Sequence, residues 1–364
     1  MKFYIPGIRI LSKWKFGLNN TLLLLIYMLI ISSCNSRSDL NNQIGEILAS
    51  VDNETGQIFI KENNKPVLRY NYQMVYETDE YAFNGLGANE YTATAIDSFM
   101  SNPSIYAVPR SNYIHPVFGL NGEILTRDWS KDHPHHRGIY WAWPEVDFGS
   151  ERGDLHALQK VFARPTGRIK IENGQNYAQI EAENIWITEK GLNTIVRELS
   201  LIRAYRKTEE GRMIDLAFLF EGLKDSVTIA RRGTEHYGGL NIRMMTPKEQ
   251  KISYHNDVEG QVPRRSWSDL SGIFAGNEEA SGMTVFQHKD NTEYPGEWIE
   301  YPDLSWVQPT FPTSKTRYEL IPGEQLILRF RVFLHSGMTP DVQVLNQLWD
   351  EYNSTSKPEL RFTL

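Results

Sequence analysis

The chain has 364 residues, one cysteine, and 45 acidic against 38 basic side chains, for a formal net charge of −7. A net negative chain lacks the basic face that nucleic acid requires, so no nucleic-acid partner is expected. A lone cysteine leaves no intramolecular disulfide, so stability must come from a buried core, and the length suits one large all-β domain or two small ones.

Residues 1–33 read as an export signal. Lys2, Arg9, Lys13 and Lys15 make a basic start, and Thr21–Ile31 is an apolar run. That run is shorter than the roughly 20 apolar residues of a spanning helix. Ile31-Ser32-Ser33-Cys34 closes the segment and resembles the bacterial lipoprotein signal, in which the cysteine is lipidated and becomes the mature N-terminus. An ordinary secretory signal with a chance cysteine is the alternative. The expectation is therefore an exported chain held to a membrane through lipid on Cys34, at the outer membrane or its periplasmic face. Residues 34–54 are polar and read as a tether, with a short helical turn at Ile44–Leu48, and residues 55–364 read as a single domain.

That domain is predicted to be almost wholly β. Gln57–Lys61 and Val67–Tyr72 alternate about the hairpin signal Asn63-Asn64-Lys65-Pro66. Tyr81–Ala95 is Gly/Asn-rich and reads as irregular. Arg168–Glu172, Ala178–Ile187, Asn193–Tyr205 and Met213–Glu221 show period-two patterning and are separated by turn residues. Met283–His288 and Gln325–Leu334 are later strands. The pattern predicts a meander of long antiparallel strands in a large β-sandwich. One terminal helix follows, with Thr339 as cap, Pro340 in its first turn, and Val344, Leu345, Leu348, Trp349 and Tyr352 on one face.

Three stretches carry candidate chemistry. Tyr113–Trp143 holds four of the nine histidines (His115, His133, His135 and His136) together with Asp128, Asp132, Arg137, Trp141 and Trp143. Unpaired ionisable groups are costly in a core, so a polar run between aromatic strands reads as a small-molecule site. In an extended strand His133 and His135 would meet one ligand while His136 faces away. Imidazole titrates near neutrality and suits acid/base work, and Arg137 can hold an oxyanion, a carboxylate or sugar hydroxyls. Two other readings stay open: a metal site with histidine ligands and a carboxylate such as Asp132 or Glu145, and a loop merely tied down by hydrogen bonds. The second stretch, Arg231–Arg243, places Glu235 beside His236 and sets Asn241 and Arg243 on one strand face. The third, Gln287–Gln308, mixes Glu293, Glu297, Trp298, Glu300, Tyr301 and Trp306, as sugar rings and their hydroxyls require. For each, the bland alternative is a bulged strand or a capping loop.

Four runs carry a family resemblance: His115–Asp128 (HPVFGLNGEILTRD), Asp132–Ile139 (DHPHHRGI), Glu235–Arg243 (EHYGGLNIR) and the ending from Pro322 to Gly337 with its LRFRVFLHSG. Together they resemble the DUF6807 family, also labelled methane oxygenase PmoA or PmoA-like, from about Pro66 to the terminal helix. The spanning helices of a membrane methane monooxygenase have no counterpart in a chain whose one apolar run is a signal, so no copper oxygenase activity follows from that label. The long strands and dispersed His, Glu and Arg look like the galactose-mutarotase-like β-supersandwich of sugar epimerases, lyases and hydrolases, with a jelly roll as the alternative.

The resulting expectation is a carbohydrate-active enzyme using acid/base chemistry on a sugar. His133, His135, His236 and Glu235 are the candidate catalytic groups. His115, Asp132, His136, Arg137, Trp141, Asn241, Arg243, Glu297 and Trp298 are the candidate sugar-binding groups. No cofactor is expected in this reading. A non-catalytic glycan-binding lipoprotein and a metalloenzyme with a histidine-bound divalent metal are the alternatives.

Overall fold

The computed structural model describes residues 46–76, 108–130, 133–188, 193–224, 226–255 and 266–355. Cys34, the signal, most of the tether, Tyr81–Ala95 and Asp132 lie outside the described residues.

Three antiparallel sheets account for the strands. The first runs in the order β1 (Ile47–Asp52), β2 (Gln57–Glu62), β3 (Lys65–Asn71), β4 (Tyr113–Val117), β5 (Ile139–Ala142), β13 (Gly239–Arg243), β18 (Trp306–Pro309) and β17 (Trp298–Tyr301). The second runs β14 (Lys248–His255), β15 (Trp267–Ile273), β16 (Ser281–Gln287), β20 (Gln325–Ser336), β11 (Arg212–Gly222), β10 (Thr194–Tyr205), β9 (Tyr177–Thr188) and β8 (Val161–Asn173). A small sheet of β19 (Tyr318–Glu319), β12 (Val227–Ala230), β6 (Glu145–Phe148) and β7 (Glu151–Gly153) completes the set. The molecule is thus a large antiparallel β-sandwich, as the strand pattern predicts.

The two eight-stranded sheets meet through aromatic side chains. Trp141 on β5 stands edge-on to Phe218 and Phe220 of β11, each at 5.2 Å between ring centroids. Trp143 packs 4.9 Å from Trp141 and 5.1 Å from Phe220, and donates its indole N–H to the Phe311 carbonyl at 2.7 Å. The imperfect alternation of β10 also has a cause. Glu198 and Ser200 are buried on the face they share with Val196, Ile202 and Ala204. Glu198 is accommodated because Trp186 and Asn112 donate to its two oxygens at 2.7 and 2.6 Å. Burial pushes this carboxyl up, and those two hydrogen bonds pull it back.

Two expectations need correction. Ile47–Asp52 is not tether or helical turn but the edge strand β1, paired along its length with β2. Its Ile47 and Ala49 are buried while Leu48 and Ser50 are exposed, a period of two. The terminal helix α1 (Val342–Ser354) is capped by Asp341, whose carboxylate accepts from the Gln343 N–H at 2.8 Å. Thr339, the expected cap, instead bonds Ser271. Val344 is exposed, and Leu345 and Tyr352 are the residues α1 buries, against Trp267, Phe286 and Phe333 on the outer face of the second sheet.

Candidate functional site

The histidine run is not extended. The His136 N–H donates to the His133 carbonyl at 2.9 Å, and the Ser130 hydroxyl reaches the same carbonyl at 3.0 Å, which makes His133–His136 a turn. The turn folds His136 back under His133, with rings stacked at 4.7 Å, and brings His135 to 4.6 Å from His136. The expectation that His136 faces away from the other two is therefore corrected. Behind the turn, Arg137 is fully buried, 3.3 Å from Asp128, with its guanidinium 3.2 Å above the Trp129 ring. Arg137 thus anchors the loop. Gly138 follows at φ +61°, where a Cβ would lie 2.3 Å from the Ile114 carbonyl oxygen, so only glycine lets the chain enter β5 here.

A residue from elsewhere completes the cluster. His156 sits in the turn after β7, between Asp154 and Gln159, which exchange backbone hydrogen bonds at 2.8 Å. Its ring lies 4.9 Å from His135 and 5.3 Å from His136. One ligating nitrogen from each of His135, His136 and His156 falls within 4.8 Å of the other two. Arg110 holds the backbone of this turn by donating to the Leu155 and His156 carbonyls at 2.8 and 2.6 Å. The Tyr140 hydroxyl lies 3.2 Å from His156 Nε2, and Asn241 is the partner of Tyr140 across β5 and β13. Asn241 is itself held by the Gln308 amide at 2.6 Å.

Aromatic rings wall the cluster. Trp306 on β18 is 4.7 Å from His136 and 5.9 Å from His156, and Tyr301 on β17 stacks on Trp306 at 5.0 Å. Tyr237 packs 5.1 Å from His156 and 5.5 Å from Trp306. His136, His156 and Trp306 are buried, whereas His133, His135, Tyr237 and Tyr301 remain partly exposed, so the cluster has a solvent side.

The electrostatics keep these imidazoles neutral. Burial lowers His135 to about 3, helped by the charges of Arg110, His133, Arg137 and Arg232. Burial also holds His136 and His156 well below the ordinary histidine range, with the neighbouring imidazoles adding to the effect. Neutral imidazole is the ligating and hydrogen-bond-accepting form, and a poor proton donor near neutrality.

The other predicted residues divide. Arg243 is buried on β13, two positions from Asn241, and its charge acts on His136. His115 is buried with its Nδ1 taken by Thr126 at 3.0 Å, in the interior of β4. Trp141 and Trp298 are buried members of the main core cluster, which is a packing role. Glu297 forms an ion pair with Arg231. Glu235 and His236 are exposed at the end of a 3-10 turn (Arg232–Thr234), where Glu235 lies 3.8 Å from Lys315. It is the next residue, Tyr237, that reaches the cluster. Sequence reasoning did not single out His156, Tyr140 or Tyr237. His156 is a single imidazole in the run GDLHALQK, and nothing in that spacing signals a partner 20 residues upstream.

Among known proteins, no curated sequence matches the chain. Two solved structures similar to it are GH36 α-galactosidases of Geobacillus stearothermophilus. AgaB shares 8% identity over 79% of this chain at a TM-score of 0.39, and AgaA shares 9% over 80% at 0.38. The chain spans 41% of the length of each. The sequence profile described as Family of unknown function (DUF6807) matches residues 58–350, and the chain belongs to that family.

Proposed function

We propose that this member of the family is an exported, lipid-anchored, carbohydrate-active enzyme whose working centre is the cluster of His135, His136 and His156. The observation that carries the reading is the convergence, at one solvent-facing place, of three imidazoles with the Tyr140 hydroxyl and the rings of Tyr237, Tyr301 and Trp306. Sugars need this combination: C–H faces lie on aromatic rings, and hydroxyls exchange hydrogen bonds with neutral imidazole, phenol and amide. In this reading Tyr237 and Tyr301, both partly exposed, would take the ring, and His135 would accept from a hydroxyl. The reaction class is epimerisation, elimination or glycosidic cleavage, each of which moves a proton at a sugar carbon or oxygen.

The test is a panel of neutral and acidic oligosaccharides incubated with the wild-type chain, with products read by mass spectrometry and binding by calorimetry. Turnover that falls at least about 100-fold in H135A supports the reading, since one acid/base group contributes on that order. Binding without turnover, unchanged in H135A, would make the protein a glycan-binding lipoprotein instead. No binding and no turnover across the panel would contradict the sugar reading. For the anchor, labelled palmitate should enter the wild-type chain and not C34S.

A further inference from the structure

We infer that His135, His136 and His156 form a binding site for one divalent transition-metal ion. The inference rests on the site of the proposed function and changes the role of His135 there, from acceptor of a hydroxyl to ligand of an ion that itself takes the substrate oxygen, but it does not depend on the sugar.

Four observations support it. First, one nitrogen from each imidazole lies within 4.8 Å of the others. Ligands of a tetrahedral ion with metal–nitrogen bonds of about 2.1 Å stand about 3.4 Å apart, so modest side-chain rotations close the set. His135, which is partly exposed and set on a turn, has room to make them. Second, no Asp or Glu among the described residues joins this group. Imidazoles gain nothing from one another's charge, so their mutual proximity is not itself stabilising. Third, His136 Nδ1 is buried with no hydrogen-bond partner, a state that costs about 1–3 kcal/mol in the absence of a ligand. Fourth, His156 has the outer-shell support of a ligating histidine. The Tyr140 hydroxyl lies 3.2 Å from its Nε2 and would fix the orientation of the ring.

The donor set defines the ion. Imidazole suits zinc, copper, iron and nickel, whereas magnesium and calcium prefer oxygen ligands. Three protein ligands leave a coordination position for a substrate oxygen, which the solvent side of the cluster would admit. An ion there would act as a Lewis acid on that oxygen.

The experiment is a titration of the full-length chain, purified without a histidine tag and stripped by chelator dialysis, with Zn²⁺ and with Co²⁺. Uptake is read by elemental analysis, by the visible absorption of Co²⁺, and by the shift in melting temperature. The expected result is one ion per chain, a rise in melting temperature, and affinity weakened at least about 100-fold in H135A and in H156A. H135A alters a partly exposed side chain, so its folding is checked by an unchanged melting temperature in the stripped state. Wild-type protein that takes up no ion at millimolar Zn²⁺, or H135A and H156A that bind as tightly as wild type, would overturn the inference. Ion uptake without sugar turnover would leave this inference standing and remove the proposed function. Sugar turnover unaffected by chelation, with no uptake, would do the reverse.

Discussion

Two histidine sites in this protein, one a cluster of three imidazoles and one a single imidazole beside a carboxylate, are built on different principles. On the outer face of the second sheet, beneath α1, His335 Nε2 lies 2.8 Å from an Asp269 carboxylate oxygen that also accepts from Thr284 at 2.7 Å. His335 and Asp269 are both buried, and both ring nitrogens of His335 have partners, Nε2 the Asp269 carboxylate and Nδ1 the Ser336 carbonyl at 3.3 Å, although Asp269 Oδ1 has none. At the solvent-facing cluster no carboxylate among the described residues joins the group of His135, His136 and His156, and His136 keeps a buried nitrogen without a partner. A histidine kept for stability is supplied with a partner, because a buried polar group without one is costly. A histidine that still lacks one after folding is available to something outside the chain. Proximity of imidazoles is therefore less informative than what each imidazole is bonded to.

Substitutions can break this comparison. The largest effect is expected from W141A, because Trp141 is core and not sugar platform: it should cost about 3–5 kcal/mol of stability, read by urea unfolding. A loss of sugar binding at unchanged stability would return Trp141 to the site. H335A should cost about 3 kcal/mol by stranding Asp269, and should leave zinc uptake intact. H156Q, which keeps most of the side-chain volume, should leave the unfolding midpoint nearly unchanged and cut turnover about 100-fold. If the stability losses of H335A and H156Q were exchanged, the distinction between the sites would fail. H236A, at an exposed position, should change turnover by less than about twofold. A large loss there would mean that its loop closes over the ligand.

The smallest effect concerns pH and lies far from the site. Burial pushes the Glu183 carboxyl up, but hydrogen bonds from Arg197 and Thr166 and the charges of Arg197 and Arg168 outweigh it and hold the group below its ordinary value of 4.5. A depressed carboxylate stabilises the fold above its unfolded value, and the contribution is lost as pH falls through the folded value. Stability of the wild type should thus decline more steeply than that of E183Q below pH 4.5, measured as the urea midpoint against pH.

Much of the fold was legible because strands report themselves locally. Alternation marked β2, β3, β9, β10 and β11, and the separating turns carried Gly or Asn. β1 escaped because its buried pair, Ile47 and Ala49, is short and lies beside a polar segment. The helix was placed correctly, but its cap was displaced by two residues, since Thr339 spends its hydroxyl on Ser271 and leaves the capping to Asp341. The site was legible only in part. The run around His133–His136 declared itself by composition, but its geometry depends on the turn closed by the His133 carbonyl, which alternation could not reveal. His156, Tyr237 and Trp306 come from three distant segments and meet only through sheet pairing and the turn held by Arg110. Such non-local closure leaves no mark in one sequence. Glu235 and His236 show the converse: residue types suited to acid/base work, which a 3-10 turn sets at the surface.

The most direct test of the working centre is X-ray diffraction at the zinc absorption edge from crystals grown with Zn²⁺. The account predicts one strong anomalous peak among the imidazoles of His135, His136 and His156. Ordered, fully visible imidazoles with no peak between them, or a single peak elsewhere on the molecule, would contradict it.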